Sequence, residues 1–128
     1  MLNEFFMNGM EWHVRFVKPN NSKLIDRTGS LTVGVTDPNT MTIYLANNLS
    51  GDFLKTVLIH ELGHATMFSY GLLKLIHSYC YPEFWIDMEE TICNIFADHG
   101  ELMFSIAYGV LGEDAINIIP YHMERLVA

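Results

Sequence analysis

Residues 50–71 read SGDFLKTVLIHELGHATMFSYG and are the most informative segment of the chain. Its apolar side chains recur at helical spacing, at Leu54, Val57, Leu58, Leu62, Ala65 and Phe68. Ser50 can cap the start of a helix and Gly71 can close its end. The stretch therefore predicts a helix with one apolar face, which must be buried against the rest of the chain.

Inside this predicted helix, residues 60–64 read His-Glu-Leu-Gly-His, an HExxH motif. Four residues advance a helix by about 6 Å and little more than one turn, so His60 and His64 share a face and can converge on one ion. Neutral imidazoles suit Zn²⁺, and Glu61 lies close enough to take a proton from a metal-bound water without being a ligand. The motif predicts a catalytic zinc site with Glu61 as the general base.

A catalytic zinc ion normally has three protein ligands, so the site needs one more. The extended pattern HExxHxxGxxH is excluded, because it requires Gly and His where this chain has Met67 and Tyr70. The candidates lie on a second predicted helix and are Glu89, Glu90, Asp98 and His99. Glu90 is favoured because it shares a helical face with Asn94 and Ala97 and could point toward the first helix, while packing is expected from Ile92, Ile95 and Phe96. Glu89 is the alternative, and Asn94 could orient a ligand histidine.

Three segments before the HExxH helix alternate apolar and polar residues, as half-buried strands do. Their apolar positions are Trp12, Val14 and Phe16, then Leu31, Val33 and Val35, then Met41, Ile43 and Leu45. Residues 37–40, Asp-Pro-Asn-Thr, predict a turn between the last two segments. We expect a small antiparallel sheet within residues 1–46.

The chain after residue 71 predicts further helices. Pro82 can open a helical segment, and Gly100 is expected to interrupt or end it. A further helix is predicted for residues 101–111, with breaks at Gly109, Gly112 and Pro120. Strands followed by helices predict an α+β fold.

The length of 128 residues is typical of one domain, so we expect a single domain over residues 1–128. Fifteen acids and seven bases give a formal net charge of −8, and residues 75–128 hold nine of the acids but one base, Arg125. That half would repel a phosphate backbone, so no nucleic-acid partner is expected. The nearly apolar residues 102–112 are too few to span a bilayer, so no membrane partner is expected either.

The two cysteines, Cys80 and Cys93, are too few for a disulfide framework or an all-thiolate zinc site. Both are expected to be reduced core residues. The first residues carry an acid and no base before Arg15, which is the wrong charge pattern for a secretory leader. The expected location is therefore the cytoplasm.

Residues 90–97 read Glu-Thr-Ile-Cys-Asn-Ile-Phe-Ala. Together with the HExxH helix they resemble the ImmA/IrrE family of zinc metallopeptidases, particularly the short versions encoded by bacteriophages and mobile elements. The resemblance covers residues 12–101. The corresponding helix of the family reads Glu-x-x-Ala-Asn-x-Phe-Ala, so Cys93 stands in the Ala place and Glu90 inherits the role of third ligand. Residues 98–101 depart from the apolar continuation common in the family.

The resemblance implies a minimal gluzincin-like (zincin-like) domain, in which the sheet packs on the HExxH helix and an edge strand borders the active cleft. Residues 41–46 are the candidate edge strand, along which an extended substrate could pair; an inner strand is the alternative. The implied activity is hydrolysis of peptide bonds in an intracellular protein of the bacterial host cell. A phage or host transcriptional repressor is the expected substrate.

In the implied reaction, His60, His64 and Glu90 hold Zn²⁺, while Glu61 takes a proton from water and passes it to the departing amine. The sequence leaves five candidate donors to the oxyanion, namely Tyr70, Tyr79, Tyr81, His99 and His122. The alternative function is a zinc-stabilised protein-interaction module with little or no peptidase activity, which the small size and the localised acidic half suggest.

Overall fold

The computed structural model describes residues 3–115. The strands are β1 (Glu4–Met7), β2 (Met10–Val17), β3 (Gly34–Asp37) and β4 (Thr42–Ala46). The helices are α1 (Gly51–Ser69), α2 (Leu72–His77) and α3 (Trp85–Leu111), with 3-10 turns at Ser22–Leu24, Pro82–Phe84 and Gly112–Ala115. The predicted α+β class is confirmed. Pro120 and His122 lie outside the described residues, and the single domain over residues 1–128 stays a prediction.

The sheet is mixed, which corrects the expected antiparallel arrangement. Its strand order is β1-β2-β4-β3, with antiparallel pairs at β1–β2 and β3–β4 but a parallel pair at β2–β4. After β2 the chain first forms β3 at the far edge, and the turn at residues 37–40 then returns β4 to the place beside β2. A parallel pair needs such a long connection, and alternation of residues does not reveal it. The third predicted strand, residues 41–46, is therefore an inner strand.

Two turns set the hairpins of the sheet. The predicted turn at residues 37–40 is confirmed: Asp37 Oδ1 accepts from the Asn39 amide at 2.9 Å. The turn between β1 and β2 is formed by Asn8 and Gly9, with φ of 50° and 74°. Asn-Gly is the usual sequence of a two-residue hairpin turn, because both positions need positive φ. The Asn-Gly dipeptide indicates a hairpin and therefore a strand before it, but β1 was not among the predicted strands.

The main core lies between the sheet and α1. It contains Trp12, Ile43, Leu45, Val57 and Ala65, of which the last two belong to α1. The Trp12 ring is fully buried, and its Nε1 donates to Ser69 Oγ at 2.8 Å near the end of α1. Ser50 occupies the predicted cap position without a side-chain capping bond, and Gly71, with φ of 67°, follows the end of the helix.

α3 continues through two glycines at which we expected the helix to break. It runs from residue 85 to residue 111, so the predicted interruption at Gly100 and stop at Gly109 were wrong. A glycine inside a helix destabilises it by about 1 kcal/mol relative to alanine, but its backbone can still make the helical hydrogen bonds. Gly112, with φ of 65°, ends the helix as predicted. Among residues 3–115, no helix combines the length and the apolar character that a membrane crossing requires.

Candidate metal centre

The two histidines of the HExxH motif lie side by side on α1. Their Nε2 atoms are 3.3 Å apart, and their ring centroids are separated by 5.0 Å. Both side chains are largely buried, with exposed fractions of 18% for His60 and 17% for His64. The helix spacing predicted this convergence, and the structure confirms it.

Glu90 of α3 contacts both imidazoles. Its Oε2 lies 2.9 Å from His60 Nε2, and its Oε1 lies 3.2 Å from His64 Nε2. The hydrogen bonds from His60 and His64 hold the pKa of Glu90 far below its ordinary value, and the bond to Glu90 raises the pKa of His60. The two imidazoles of α1 and the carboxylate of α3 are therefore in direct contact, with one carboxylate oxygen on each histidine.

These separations can be compared with a metal centre of known dimensions. In a tetrahedral site with metal–nitrogen and metal–oxygen distances near 2.0–2.1 Å, neighbouring ligand atoms are about 3.3 Å apart. The separation of the two Nε2 atoms is 3.3 Å, and the two carboxylate oxygens of Glu90 lie 2.9 Å from His60 Nε2 and 3.2 Å from His64 Nε2 respectively. His60, His64 and Glu90 consequently have the donor types and nearly the spacing that such a site needs.

Cys93 is a further ligand-type residue at the same place. One ligand atom from each of His60, His64 and Cys93 lies within 4.8 Å of the other two, so this group could hold a metal ion. The side chain is fully buried, as expected for a core residue, and burial raises the pKa of its thiol to about 12. The sequence predicted that Cys93 lies in the core, but not that it lies beside the histidines.

Gly63 explains how α3 comes so close to α1. A Cβ atom at this position would lie 3.0 Å from Cys93 Sγ and 3.5 Å from Cys93 Cα. The shortest of these contacts is tight, so a side chain at position 63 would need Cys93 to shift. The glycine inside the HExxH motif thus allows the close approach of the two helices at the site.

Glu61 lies beside the histidines on the side of the sheet. Its side chain is buried, and burial raises its pKa. The Thr36 hydroxyl, on β3, lies 2.9 Å from Glu61 Oε1 and 2.9 Å from the Glu61 carbonyl oxygen, and it can donate to either. The other carboxylate oxygen, Oε2, is 4.0 Å from His60 Nε2. The structure therefore provides a buried, oriented carboxylate next to the two imidazoles.

The remaining candidates on α3 occupy other surroundings. Glu89 is buried and is bound by Arg27 and His77, so its carboxylate is directed to a different set of partners from that of Glu90. Asp98 and His99 are exposed. Asn94 hydrogen-bonds His60 and contributes to the raised pKa of that histidine.

A cleft of about 770 Å³ opens over the site. Its walls include β3, residues 22–27, the middle of α1 and the first half of α3. β3 is the edge strand at this cleft, whereas the strand expected there, residues 41–46, is paired on both sides. Of the expected oxyanion donors that the structure describes, Tyr70, Tyr79, Tyr81 and His99 all lie outside the cleft lining.

Three residues around the site were not anticipated from the sequence: Thr36, Arg27 and His77. Thr36 pairs with buried Ile43 and lies on the face of β3 that packs on α1. The alternating pattern predicted the opposite face, since Leu31 and Val33 are exposed. Arg27 and His77 are brought to Glu89 by a loop and by the short helix α2, and neither has a motif that links it to Glu89.

Comparison of the chain with models of known protein families, with curated proteins and with solved structures found no match. The resemblance to the ImmA/IrrE family therefore stays a prediction, based on residues 60–64 and 90–97.

Proposed function

We propose that this chain is a zinc-dependent endopeptidase with His60, His64 and Glu90 as metal ligands and Glu61 as general base. The observation that carries the proposal is the contact of one α3 carboxylate with both α1 imidazoles, at 2.9 and 3.2 Å. Two imidazoles and a carboxylate are the ligand set of several zinc peptidases, which keep a fourth position for water. A second carboxylate, that of Glu61, is buried beside this set, as water activation requires.

Glu90 is favoured over Cys93 as the third ligand because of its charge. A ligand must be deprotonated, and the contacts with His60 and His64 already favour the ionised form of Glu90. Cys93 would have to be deprotonated to bind a metal ion. Burial opposes this step, because it raises the pKa of the thiol to about 12. The carboxylate can therefore bind an ion with less rearrangement of charge.

When bound, zinc would lower the pKa of a water molecule to about 7 and polarise the carbonyl of a substrate. Glu61 would take the proton of that water and pass it to the departing amine. Its raised pKa suits both steps, because a carboxyl group that holds a proton more readily is the better proton acceptor and shuttle. Thr36 would keep the carboxylate oriented through Oε1.

The substrate would bind as an extended peptide along β3. This strand lies at the edge of the sheet, lines the cleft and carries Thr36, which contacts Glu61. A peptide that adds to a sheet edge gains backbone hydrogen bonds, and here it would bring a peptide carbonyl close to the site. By the resemblance stated above, an intracellular phage or host repressor is the expected substrate.

The decisive experiment replaces the general base. Glu61→Gln should bind one zinc ion per chain as wild type does, but should lose about 10²–10⁴-fold in the rate of peptide cleavage. Cleavage is measured by mass spectrometry on a proteome-derived peptide library, and zinc content by elemental analysis. Glu83→Gln, at an exposed position outside the cleft lining, is the matched control. Undiminished turnover in Glu61→Gln would remove Glu61 from the mechanism.

A zinc-stabilised interaction module is the second candidate function, and the position of Cys93 favours it. If Cys93 joined His60, His64 and Glu90 as a fourth ligand, the site would be closed, as in structural zinc centres. Cobalt substitution separates the two functions, because a thiolate ligand gives Co²⁺ an intense charge-transfer absorption. Such a band in wild type that disappears in Cys93→Ser would support the interaction module, and its absence from wild type would support the peptidase.

A further inference from the structure

Glu89, the residue before the proposed ligand Glu90, is a buried carboxylate with two partners. Its side chain is only 4% exposed, and its Oε1 accepts a hydrogen bond from His77 Nε2. Its Oε2 forms an ion pair with Arg27 Nη2. A carboxylate is buried at such a position only when cationic or hydrogen-bonding groups compensate its loss of water.

Arg27 reaches Glu89 from a small, well-ordered loop between the 3-10 turn at Ser22–Leu24 and β3. Within the loop Asp26 Oδ1 accepts hydrogen bonds from the amides of Thr28 and Ser30, at 2.9 and 3.0 Å. At its base Ile25 pairs with Leu31 as a β-bridge. These contacts hold the backbone on both sides of Arg27, whose half-exposed side chain extends from the loop to α3.

The same guanidinium nitrogen also approaches Glu90. Arg27 Nη2 lies 3.6 Å from Glu90 Oε1, the oxygen that is 3.2 Å from His64 Nε2. Arg27 therefore bridges two consecutive carboxylates of α3, one buried and one at the metal centre. The Glu90 side chain is 41% exposed and has several rotatable bonds, so it needs contacts of this kind to keep a single orientation.

The other partner of Glu89 is also fixed in place. The His77 ring stacks on Trp85, with ring centroids 4.4 Å apart and an interplanar angle of 11°. Trp85 Nε1 in turn donates to the His77 carbonyl oxygen at 3.1 Å. Glu89 is thus held from α2 on one side and from the Arg27 loop on the other.

We infer that Arg27 is a positioning residue for the metal centre: it fixes the Glu90 carboxylate, and Glu89, held by His77, fixes Arg27. This inference rests on the metal site of the proposed function. Glu89 has a second effect in this arrangement, because its negative charge balances the guanidinium group. An unbalanced positive charge so close to the centre would repel a divalent cation.

The arrangement makes a specific prediction for metal affinity. Arg27→Gln should weaken zinc binding by about 10–100-fold, the loss typical when a residue that supports a ligand is removed. Glu89→Gln should weaken zinc binding to a similar extent, because Arg27 keeps its charge but loses its ion pair with Glu89. Arg27→Lys should recover part of the loss, since it keeps the charge without the planar fork. The double variant of Arg27→Gln and Glu89→Gln should be no weaker than Arg27→Gln alone.

Zinc affinity is measured by competition with a chromophoric chelator, and the ligand field by the visible absorption of the Co²⁺-substituted protein. Circular dichroism and thermal unfolding show whether each variant is folded. Arg15→Gln and Glu83→Gln, at exposed positions outside the cleft lining, are the controls and should match wild type. If Arg27→Gln fails to fold, the comparison of Arg27→Lys with wild type serves instead, with a weaker affinity expected.

Two results would overturn the inference. One is a folded Arg27→Gln or Arg27→Lys variant with wild-type zinc affinity and an unchanged Co²⁺ spectrum. The other is a double variant whose loss is the sum of the two single losses, since Glu89 would then act independently of Arg27. Because the measurement is metal affinity, a chain that binds zinc but cleaves no peptide refutes the proposed peptidase and leaves this inference intact.

Discussion

The two halves of α3 have the same helical backbone but differ in burial. In the first half, residues 85–97, the side chains of Glu89, Cys93 and Ala97 are buried, while those of Trp85, Ile86, Ile95 and Phe96 are exposed. In the second half, residues 98–111, no side chain is buried, and the exposed large apolar ones are Leu102, Met103, Phe104, Ile106, Tyr108, Val110 and Leu111. The hydrogen bonds of a helix form within the helix itself, whereas burial of its side chains requires contact with another element. Contact with α1 is therefore what brings Glu90 and Cys93 of the first half to the two histidines.

The reactivity of a thiol should show the largest difference between the two halves. Burial raises the pKa of Cys93 to about 12, so its thiolate, which is the reactive form, is scarce at neutral pH. In a Cys80→Ser background, the thiol introduced by Ser105→Cys, at an exposed position, should react with iodoacetamide at least about 100-fold faster than Cys93. Alkylation of metal-free protein is followed by mass spectrometry. Similar rates would mean that the first half is not held against α1.

Replacing one glutamate in each half of α3 by alanine should give the next largest difference, measured as zinc affinity. Glu90→Ala should weaken zinc binding by at least about 100-fold, because it removes a proposed ligand. Glu101→Ala removes only the exposed ion pair with Lys55, 2.8 Å long, and should leave zinc affinity unchanged and stability close to that of wild type. Zinc affinity is measured by chelator competition. Full zinc occupancy in Glu90→Ala would refute the assignment of the third ligand.

Packing at the contact of α1 with α3 is tested at Gly63. A side chain at this position collides with Cys93, so Gly63→Val should lower the free energy of unfolding by about 1–3 kcal/mol in metal-free protein. Urea denaturation measures the change. Adding Cys93→Ala should restore part of the stability, because it removes the sulfur that the new side chain meets. A Gly63→Val variant as stable as wild type would contradict the close approach of the two helices.

The smallest effect is expected at a glycine of the exposed half. A Cβ at Gly100 would meet no atom within 4 Å, so Gly100→Ala should raise the free energy of unfolding by up to about 1 kcal/mol through helix propensity alone. The same urea experiment measures it. Destabilisation by Gly100→Ala would show that the second half has a packed neighbour, and would weaken the contrast between the halves.

The sequence predicted those features that depend on residues close together in the chain. The spacing of His60 and His64 was sufficient to place both imidazoles on one face of α1, and the structure confirms their contact. Glu90 was favoured over Glu89 from its position on the helix, and the two carboxylates do have different partners. Residues 37–40 likewise formed the turn that their composition indicated.

Errors and omissions arose where the outcome depended on distant residues. The pairing of β2 with β4 is parallel because β3 takes the edge of the sheet, and alternation within each strand is the same for either direction. Gly100 was expected to break α3 from its propensity alone, but one unfavourable residue does not outweigh the cooperative hydrogen bonding of a long helix.

Local spacing was enough to predict that one helix carries two histidines and a glutamate in an arrangement suited to a metal ion, because backbone geometry fixes the helical period. The other residues at the site are brought there by packing between elements that are distant in the chain. Glu90, Cys93, Thr36 and Arg27 come from three other parts of the chain, and they meet because α1 packs against both the sheet and α3. These contacts depend on how the surfaces of the helices and the sheet pack together, and the spacing of residues along the chain does not predict that packing.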